Sequence, residues 1–335
     1  MSTSSRTISV VGATGNQGGG VVDILLRSTD YLVRALSSNP SSDKAKALLS
    51  HHSEYVAAGR FEIVPGNLDD RASLETALKG SYGLFAAFPG VPVEGPLEEN
   101  PEVVQGKNLV DAAKAVGIEH FVYSTLPSIA KITNDETRLE LFEAKALVEE
   151  YARAQLETKS TFVIPGFFFT NLELPLWANR SEDGEYVITS PSDPETPIGW
   201  VDSHADIGKF VTAIFERGLS VTAGKTYPIN SCPIPTTELA QIYHRVTGES
   251  IGIEPTPWPV IEQAIASLGG PVLARELIGM LKYVDSVKPT VYSYGHGYIE
   301  DDTSFEDLGV KASTFEEYLE RSKWKAPRSA SAPLE

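Results

Sequence analysis

A glycine-rich segment near the amino terminus reads Val10-Val11-Gly12-Ala13-Thr14-Gly15-Asn16-Gln17-Gly18-Gly19-Gly20. It follows the apolar run from Ile8 to Val11 and precedes the helical pattern of Val21 to Leu26. A strand that leads through such a turn into a helix is the context in which glycine-rich turns bind the pyrophosphate of a dinucleotide. The alternative is a turn that binds nothing.

The spacing of the glycines gives each of them a task. Gly12 permits the tight turn, Gly15 lets the backbone approach a pyrophosphate, and Gly18 allows the helix to pack close to the strand. The amino-terminal amides and the dipole of the helix then face the anion. We therefore predict that a dinucleotide contacts Gly12, Thr14, Gly15, Asn16, Gln17 and Gly18.

Short β-rich runs alternate with helical patterns as far as Pro165. The predicted strands cover residues 8–11, 31–36, 61–64, 82–88, 120–124 and 161–164. The intervening helical patterns include one that Asp69 or Asp70 caps and that stops at Gly80, and another over about 138–155. Since apolar strands alternate with helices, the predicted fold is α/β, a Rossmann-type doubly wound parallel sheet covered on both faces.

The pattern changes after Pro165, where aromatic residues and prolines increase. We predict a dinucleotide-binding domain over 1–165, a smaller and less regular substrate lobe over 166–324 that can return strands to the sheet, and a flexible tail over 325–335. Helices are expected near 204–217, 236–247, 260–283 and 314–322. The last has a capping-box spacing between Thr314 and Glu317.

Composition restricts the possible partners. The chain has 28 Lys plus Arg against 45 Asp plus Glu, a net charge of −17. Such a surface repels phosphate backbones and anionic headgroups, so we expect no nucleic-acid or membrane partner. Cys232 is the only cysteine, which excludes an internal disulfide and suits a reducing compartment. Without a signal peptide pattern or a long apolar run, a cytoplasmic protein is expected.

The choice of dinucleotide depends on the end of the second strand, which reads Leu36-Ser37-Ser38-Asn39-Pro40 and has no carboxylate before Asp43. An acidic residue there commonly holds the ribose 2′-hydroxyl of NAD. Ser37, Ser38, Asn39 and Lys44 can instead hydrogen-bond a 2′-phosphate. NADP(H) is therefore favoured, with NAD(H) as the alternative, although the serines also fit a simple polar turn.

Further blocks recur in order along the chain, namely Val33–Leu36, Pro65–Asp70, Tyr123–Pro127, Phe142–Lys145, Pro165–Phe168 and Thr314–Tyr318. With the glycine turn, they resemble the NmrA-like family of atypical short-chain dehydrogenases/reductases, close to isoflavone and phenylcoumaran reductases. The resemblance implies a Rossmann domain, a nicotinamide cofactor and a smaller carboxyl-terminal substrate lobe. Relatives often place an arginine where Ser38 stands, and this departure weakens the preference for NADP.

Lys145 is the principal catalytic candidate. Orthodox short-chain reductases use Tyr-x-x-x-Lys, but Leu141 occupies the tyrosine position, so a mechanism that needs that phenol is excluded. The resemblance to isoflavone-type reductases implies that the lysine is the acid/base or positioning group. On a helical wheel Lys145 lies among apolar residues such as Phe142 and Val148, so partial desolvation should lower its pKa. The alternative is a surface lysine paired with Glu149.

The carboxyl ends of the other strands supply the remaining candidates, because ligands of parallel sheets bind there. Ser124 and Thr125 are catalytic candidates, with strand-end capping as the alternative. Further cofactor contacts are expected from Asn67, Leu68, Ala86, Ala87, Phe88, Pro165 and Phe168. Substrate contacts are expected from Phe167, Phe169 and Asn171, although core packing explains consecutive phenylalanines nearly as well.

The six histidines lack the spacing of a metal site, and His51 and His52 form only an adjacent pair in a polar segment, so no metal is predicted.

We predict an NADP(H)-dependent reductase that transfers hydride to a carbonyl, imine or conjugated alkene of a small apolar substrate, such as a secondary metabolite. The alternatives are an NAD(P)-binding redox sensor without turnover and a cofactor-bound cyclase. The residues indicate no particular oligomeric state.

Overall fold

The computed structural model describes residues 6–90, 92–174, 177–181, 185–190, 193–231, 233–287, 294 and 302–326. Cys232 and residues 327–335 of the predicted tail lie outside the described residues. The chain divides into two compact units, one with Met1–Pro165, Ser203–Ile229 and Ile299–Lys311, the other with Gly166–Asp202, Asn230–Tyr298 and Ala312–Glu335. The first unit therefore includes 203–229 and 299–311 in addition to the residues up to Pro165, and the domain bounds predicted from the sequence stay a prediction.

Strands and helices are numbered in chain order. The strands are β1 (Thr7–Val11), β2 (Leu32–Ser37), β3 (Phe61–Pro65), β4 (Gly83–Ala86), β5 (His120–Ser124), β6 (Ser160–Pro165), β7 (Phe167–Phe168), β8 (Ala178–Arg180), β9 (Tyr186–Ser190), β10 (Trp200–Val201), β11 (Thr226–Ile229) and β12 (Gly252–Pro255). The helices are α1 (Asn16–Ser28), α2 (Asp43–His51), α3 (Ser53–Ala57), α4 (Arg71–Leu78), α5 (Pro101–Val116), α6 (Ile129–Ile132), α7 (Glu140–Leu156), α8 (Ala205–Arg217), α9 (Leu219–Thr222), α10 (Thr236–Thr247), α11 (Trp258–Val287), α12 (Ser304–Leu308) and α13 (Phe315–Ser322).

The first unit contains a parallel sheet. Among the described residues, seven strands pair in the order β11-β6-β5-β4-β1-β2-β3. Strands β4, β5 and β6 are buried along their whole length, as expected for a sheet with both faces covered. The chain builds outward from β1 to β3 and then crosses to β4 on the other side of β1. The predicted Rossmann-type α/β fold is confirmed.

The edge strand β11 comes from beyond Pro165. It pairs with β6 in parallel, with Thr226 opposite Phe162 and Ile229 opposite Pro165. The sheet therefore receives a strand from the carboxyl-terminal half of the chain. The helices α8, α9 and α12 also belong to this unit.

Local caps explain several helix boundaries. The Asp70 side chain accepts hydrogen bonds from the backbone N–H groups of Ala72 at 3.0 Å and Ser73 at 3.3 Å, so Asp70 is the N-cap of α4. The N-cap of α2 is Ser42, whose hydroxyl accepts from the Ala45 N–H at 3.2 Å. The sequence pattern had not indicated α2, because the polar residues around it obscure its short apolar face.

The second unit contains a small sheet and an aromatic core. Strand β9 pairs antiparallel with β8 and parallel with β12, while β7 and β10 form a separate parallel pair. The capping box predicted for α13 is confirmed, since Thr314 Oγ1 accepts from the Glu317 N–H at 3.2 Å and Glu317 Oε2 accepts from the Thr314 N–H at 2.8 Å.

Among the described residues, no helix combines the length and apolar character needed to cross a membrane.

Helices α1 and α8 pack backbone against backbone. A Cβ on Gly20 would stand 1.8 Å from the His204 carbonyl oxygen, and one on Gly208 would stand 2.4 Å from the Gly20 carbonyl oxygen. We expect Gly20→Ala to destabilise the protein by roughly 1–3 kcal/mol, because a rigid backbone must shift to admit the methyl group. Thermal unfolding monitored by circular dichroism measures the effect as a lower Tm.

Gly19→Ala is the matched control on the same helix. Its added Cβ meets the Ala13 carbonyl oxygen at 3.4 Å, which is ordinary contact, and alanine is a better helix former than glycine by about 1 kcal/mol. We expect an unchanged or higher Tm for this variant. Equal Tm values for the two variants would contradict the close packing of α1 on α8.

Candidate functional site

The glycine turn after β1 lies against the end of β4. Gly12 has a φ of +79°, and a Cβ there would stand 1.9 Å from the Ala87 carbonyl oxygen. A Cβ on Gly18 would stand 2.3 Å from the Gly12 carbonyl oxygen. Both positions therefore require glycine, one for the turn and one for the close approach of α1 to it, as the spacing had predicted.

The amino terminus of α1 fits an anion. Its N-cap is Gly15, no side chain caps the helix there, and its first turn contains no acidic residue. Thr14, Gly15 and Asn16 are exposed, so the first amides of the helix face solvent. Unpaired amides at the positive end of a helix dipole bind phosphate groups well. The turn thus has the backbone geometry that a dinucleotide diphosphate needs.

The carboxyl-terminal ends of β1 and β4 lie side by side in the middle of the sheet. Val11 stands opposite Ala86, and the Ala87 N–H donates to the Val11 carbonyl at 3.4 Å. This is the point where the strand order reverses, and ligands of open parallel sheets bind in the crevice there. Phe88, the next residue, is also buried. The predicted contacts at the end of β4 thus adjoin the glycine turn.

Lys145 on α7 lies beside the same segment. Its ammonium donates to the Phe88 carbonyl at 3.0 Å and forms an ion pair with Glu102 on α5. Only 15% of the Lys145 side chain is exposed, which agrees with the predicted partial desolvation. The alternative pairing with Glu149 is wrong, because Glu149 accepts from the Arg153 guanidinium at 2.7 Å.

Glu102 is a functional candidate that the sequence pattern did not reveal. Its side chain is fully buried, and among the described residues its Oε2 atom has no hydrogen-bond partner. Burial raises the pKa of this carboxyl group, and the Lys145 ammonium offsets part of the increase. The only signal in the sequence was the position of Glu102 in the first turn of α5, where an acidic residue is favoured by the helix dipole.

Tyr123 on β5 does not replace the tyrosine that the motif lacks. Its ring lies 5.8 Å from that of Phe88, and its side chain is fully buried. Burial and the neighbouring Glu102 carboxylate raise its pKa well above the usual range, so the phenol stays protonated. A group with no exposed surface cannot deliver a proton directly to a ligand.

Ser124 and Thr125 join β5 to its neighbours. The Ser124 hydroxyl donates to Gln17 Oε1 at 2.7 Å, and the Thr125 hydroxyl lies 3.3 Å from the Lys145 carbonyl oxygen. Both residues are buried. These contacts fit the strand-end alternative and also position Gln17 in the glycine turn. Their direct catalytic role stays a prediction.

The residues that are predicted to contact the adenosine end of the cofactor lie mostly in exposed turns. Ser37 Oγ accepts from the Asn39 N–H at 3.1 Å, while Ser38 and Lys44 are exposed. At the end of β3, Asn67 Oδ1 accepts from the Asp69 N–H at 3.1 Å, and the Leu68 carbonyl accepts from Asn108 at 3.0 Å. Ser38 and Lys44 therefore present accessible polar groups beyond β2.

The aromatic residues after Pro165 differ in accessibility within the second unit. Phe169 is completely buried, with ring centroids 6.0 Å from Trp200 and 5.1 Å from Tyr318. Core packing, the stated alternative, therefore accounts for Phe169. Phe167 is also buried, whereas Phe168 and Asn171 keep partly exposed side chains. Ligand contacts by these residues and by the buried Pro165 stay predictions.

One cluster was missed entirely. Ligand-type atoms of Asp23, His51 and His52 lie within 4.8 Å of one another. No metal-ligand spacing was visible along the chain, because Asp23 comes from α1 and the histidines from the end of α2. Only the packing of these helices brings the three residues together.

The sequence of this chain is similar to that of known proteins. The model of the NmrA-like family matches residues 4–319. The NmrA-like family domain-containing oxidoreductase malD of Malbranchea aurantiaca is 31% identical over 265 residues, which cover 74% of this chain and 75% of that protein. The corresponding oxidoreductase hkm9 of Aspergillus hancockii is 36% identical over 181 residues, 51% of this chain and about half (49%) of that relative. The nitrogen metabolite repression protein nmrA of Emericella nidulans is 30% identical over 65% of this chain and 59% of its own length.

Solved structures share the fold. The negative transcriptional regulator Nmra in complex with NADP aligns with a TM-score of 0.72 at 22% identity and 94% coverage of both chains. The Citrobacter triphenylmethane reductase complexed with NADP(H) aligns with a TM-score of 0.65 at 21% identity, covering 94% of this chain and 99% of the other. The resemblance expected from the sequence motifs is confirmed. Since the family match extends over nearly all of its residues, the chain belongs to the NmrA-like family.

Proposed function

We propose that this protein is an NADP(H)-dependent oxidoreductase that reduces a carbonyl, imine or conjugated alkene of a small apolar substrate. One observation carries the proposal: the uncapped, acid-free amino terminus of α1 and the Lys145 ammonium both adjoin the residues after β4. In Rossmann-type proteins a dinucleotide lies across such a crevice with its central diphosphate at the glycine turn, so the nicotinamide extends to one side of that turn. Relatives named oxidoreductases and neighbours solved with NADP or NADP(H) support the same assignment.

The cofactor site would be formed by the glycine turn and the strand ends. Backbone amides at the start of α1 would bind the diphosphate, and Ser38 with Lys44 would contact a 2′-phosphate. Asn67 and Leu68 would lie near the adenine, and Ala86 to Phe88 would line the groove. When bound, the nicotinamide supplies the hydride.

Lys145 would either donate the proton to the substrate or bind the nicotinamide ribose. An ammonium has three N–H donors, and within the described part of the chain two of them engage Phe88 and Glu102. The third is left for a ribose hydroxyl or a substrate oxygen. Glu102 acts as a positioning residue, because it fixes the direction of that remaining donor. In orthodox reductases the Tyr-x-x-x-Lys pair positions the reacting groups. This arrangement would perform part of that role without a tyrosine.

A redox-sensing regulator is the second candidate. The buried ion pair gives Lys145 a structural partner, and a relative is named as a repression protein. Turnover separates the two functions. The purified protein should oxidise NADPH in the presence of at least one member of a panel of quinones, aldehydes, imines and enones. Tight NADPH binding without oxidation by any member would favour the regulator.

The diphosphate site is tested by Asn16→Asp, which places a carboxylate on the first residue of α1. We expect NADPH affinity to fall at least 10-fold, because the acid repels the diphosphate and competes for the helix dipole. The Tm of the cofactor-free protein should stay the same or rise, since an acid stabilises a helix amino terminus. Fluorescence titration with NADPH measures the affinity, and the neutral Asn16→Ala variant is the control. Unchanged affinity in Asn16→Asp would locate the cofactor elsewhere.

Cofactor preference is tested by Ser38→Asp. The parent protein should bind NADPH more tightly than NADH in parallel titrations. The new carboxylate should weaken NADPH binding on the order of 10-fold and leave NADH binding equal or stronger, since an acid there accepts from the ribose 2′-hydroxyl and repels a 2′-phosphate. Ser38→Ala, which adds no charge, is the control. A parent that binds NADH more tightly would reverse the assignment.

The role of Lys145 requires a paired design, because its removal leaves Glu102 buried without its cation. Lys145→Met alone should cost about 3–5 kcal/mol and lower the Tm. In the double variant Lys145→Met/Glu102→Gln, the Tm should recover, because the uncompensated charge is gone. Turnover of the double variant should nevertheless stay about 100-fold or more below that of the parent. Recovery of turnover together with Tm would show that Lys145 is purely structural.

A further inference from the structure

The Asp23, His51 and His52 cluster lies on the first unit. Asp23 is on the second turn of α1, His51 ends α2, and His52 connects α2 to α3. The glycine turn and Lys145 involve none of these three side chains. The cluster therefore shares no side chain with the proposed cofactor site.

The distances in the cluster suit a shared ion. Asp23 Oδ1 lies 3.2 Å from Nε2 of His52 and 3.7 Å from Nε2 of His51. Around a tetrahedral metal with ligand distances of about 2.0–2.2 Å, neighbouring ligand atoms stand roughly 3.3–3.5 Å apart. The two observed distances bracket this range. The longer one exceeds a normal hydrogen bond, so hydrogen bonding to Asp23 does not explain the position of His51.

The second oxygen of the carboxylate is held by other residues. His204 Nε2 lies 3.2 Å from Asp23 Oδ2, and the Arg27 guanidinium lies 3.4 Å from the same atom. Outer contacts of this kind orient a ligating carboxylate and are typical of metal sites. They leave Oδ1 directed at the two imidazoles.

Burial gives the cluster a fixed base and an open side. The exposed fraction is 3% for the His52 side chain, 13% for Asp23 and 62% for His51. An ion can therefore enter beside His51 and keep one position for water.

We propose that Asp23, His51 and His52 form a binding site for Zn²⁺, with water as the fourth ligand and His204 orienting Asp23. Two imidazoles and one carboxylate favour zinc over magnesium or calcium, which prefer oxygen ligands. The bound ion links α1, the helix that begins at the glycine turn, to α2 and α3. It thereby stabilises the folded chain by mass action.

Calorimetric titration with Zn²⁺ tests the site, on full-length protein treated with EDTA and carrying Cys232→Ser so that no thiol binds the metal. We expect one-to-one binding and a higher Tm with Zn²⁺ than without it. Co²⁺ should give the visible absorption of a four-coordinate nitrogen and oxygen site. His51→Asn should weaken Zn²⁺ binding on the order of 100-fold without lowering the metal-free Tm, since its side chain is mostly exposed.

The matched control is His244→Asn, which removes an exposed histidine outside the cluster and should keep the affinity of the parent. Absence of stoichiometric Zn²⁺ binding overturns the proposal. Equal affinity of His51→Asn and the parent, or an equal loss in His244→Asn, overturns it as well, because the metal then binds elsewhere. Since His51→Asn leaves the buried residues intact, the test does not depend on variants that fail to fold.

Discussion

The close approach of Gly12 to the Ala87 carbonyl oxygen is the contact on which the site depends. A Cβ at residue 12 would stand 1.9 Å from that oxygen, and the φ of +79° suits glycine alone. This contact holds the end of β1 against the end of β4 and aims the amino terminus of α1 along the crevice. Gly18 then seats the helix on the turn, and Gly20 lets α8 pack on its other side. Three glycines thus allow the close backbone contacts among the turn after β1, the end of β4 and the two helices.

The Lys145–Glu102 ion pair is the second constraint of the first unit. Burying two charges costs free energy that their attraction only partly returns, so such a pair is weak support for stability by itself. Its value here is positional, because Glu102 and the Phe88 carbonyl hold the ammonium next to the end of β4.

Helix α1 connects the two sites that we propose. Its amino terminus faces the crevice, and Asp23, two turns later, meets the histidines at the end of α2 and just before α8. Both ligands would bind the folded form of the same helix, so each would stabilise the element that the other uses. The packing of Gly20 against the backbone of His204 further ties this helix to α8.

Local sequence determined much of this protein. The glycine turn, the six strands up to Pro165 and the capping box at Thr314 follow from short-range chemistry, in which turns, alternation and caps involve residues a few positions apart. The tertiary structure alone decided which distant residues meet: Glu102 with Lys145, Asp23 with His51 and His52, and β11 with β6. It also decided that Phe169 is a core residue. Such contacts depend on how the helices and strands pack. A local sequence pattern alone is compatible with many partners for a buried charge or ring, and only the packing selects one of them.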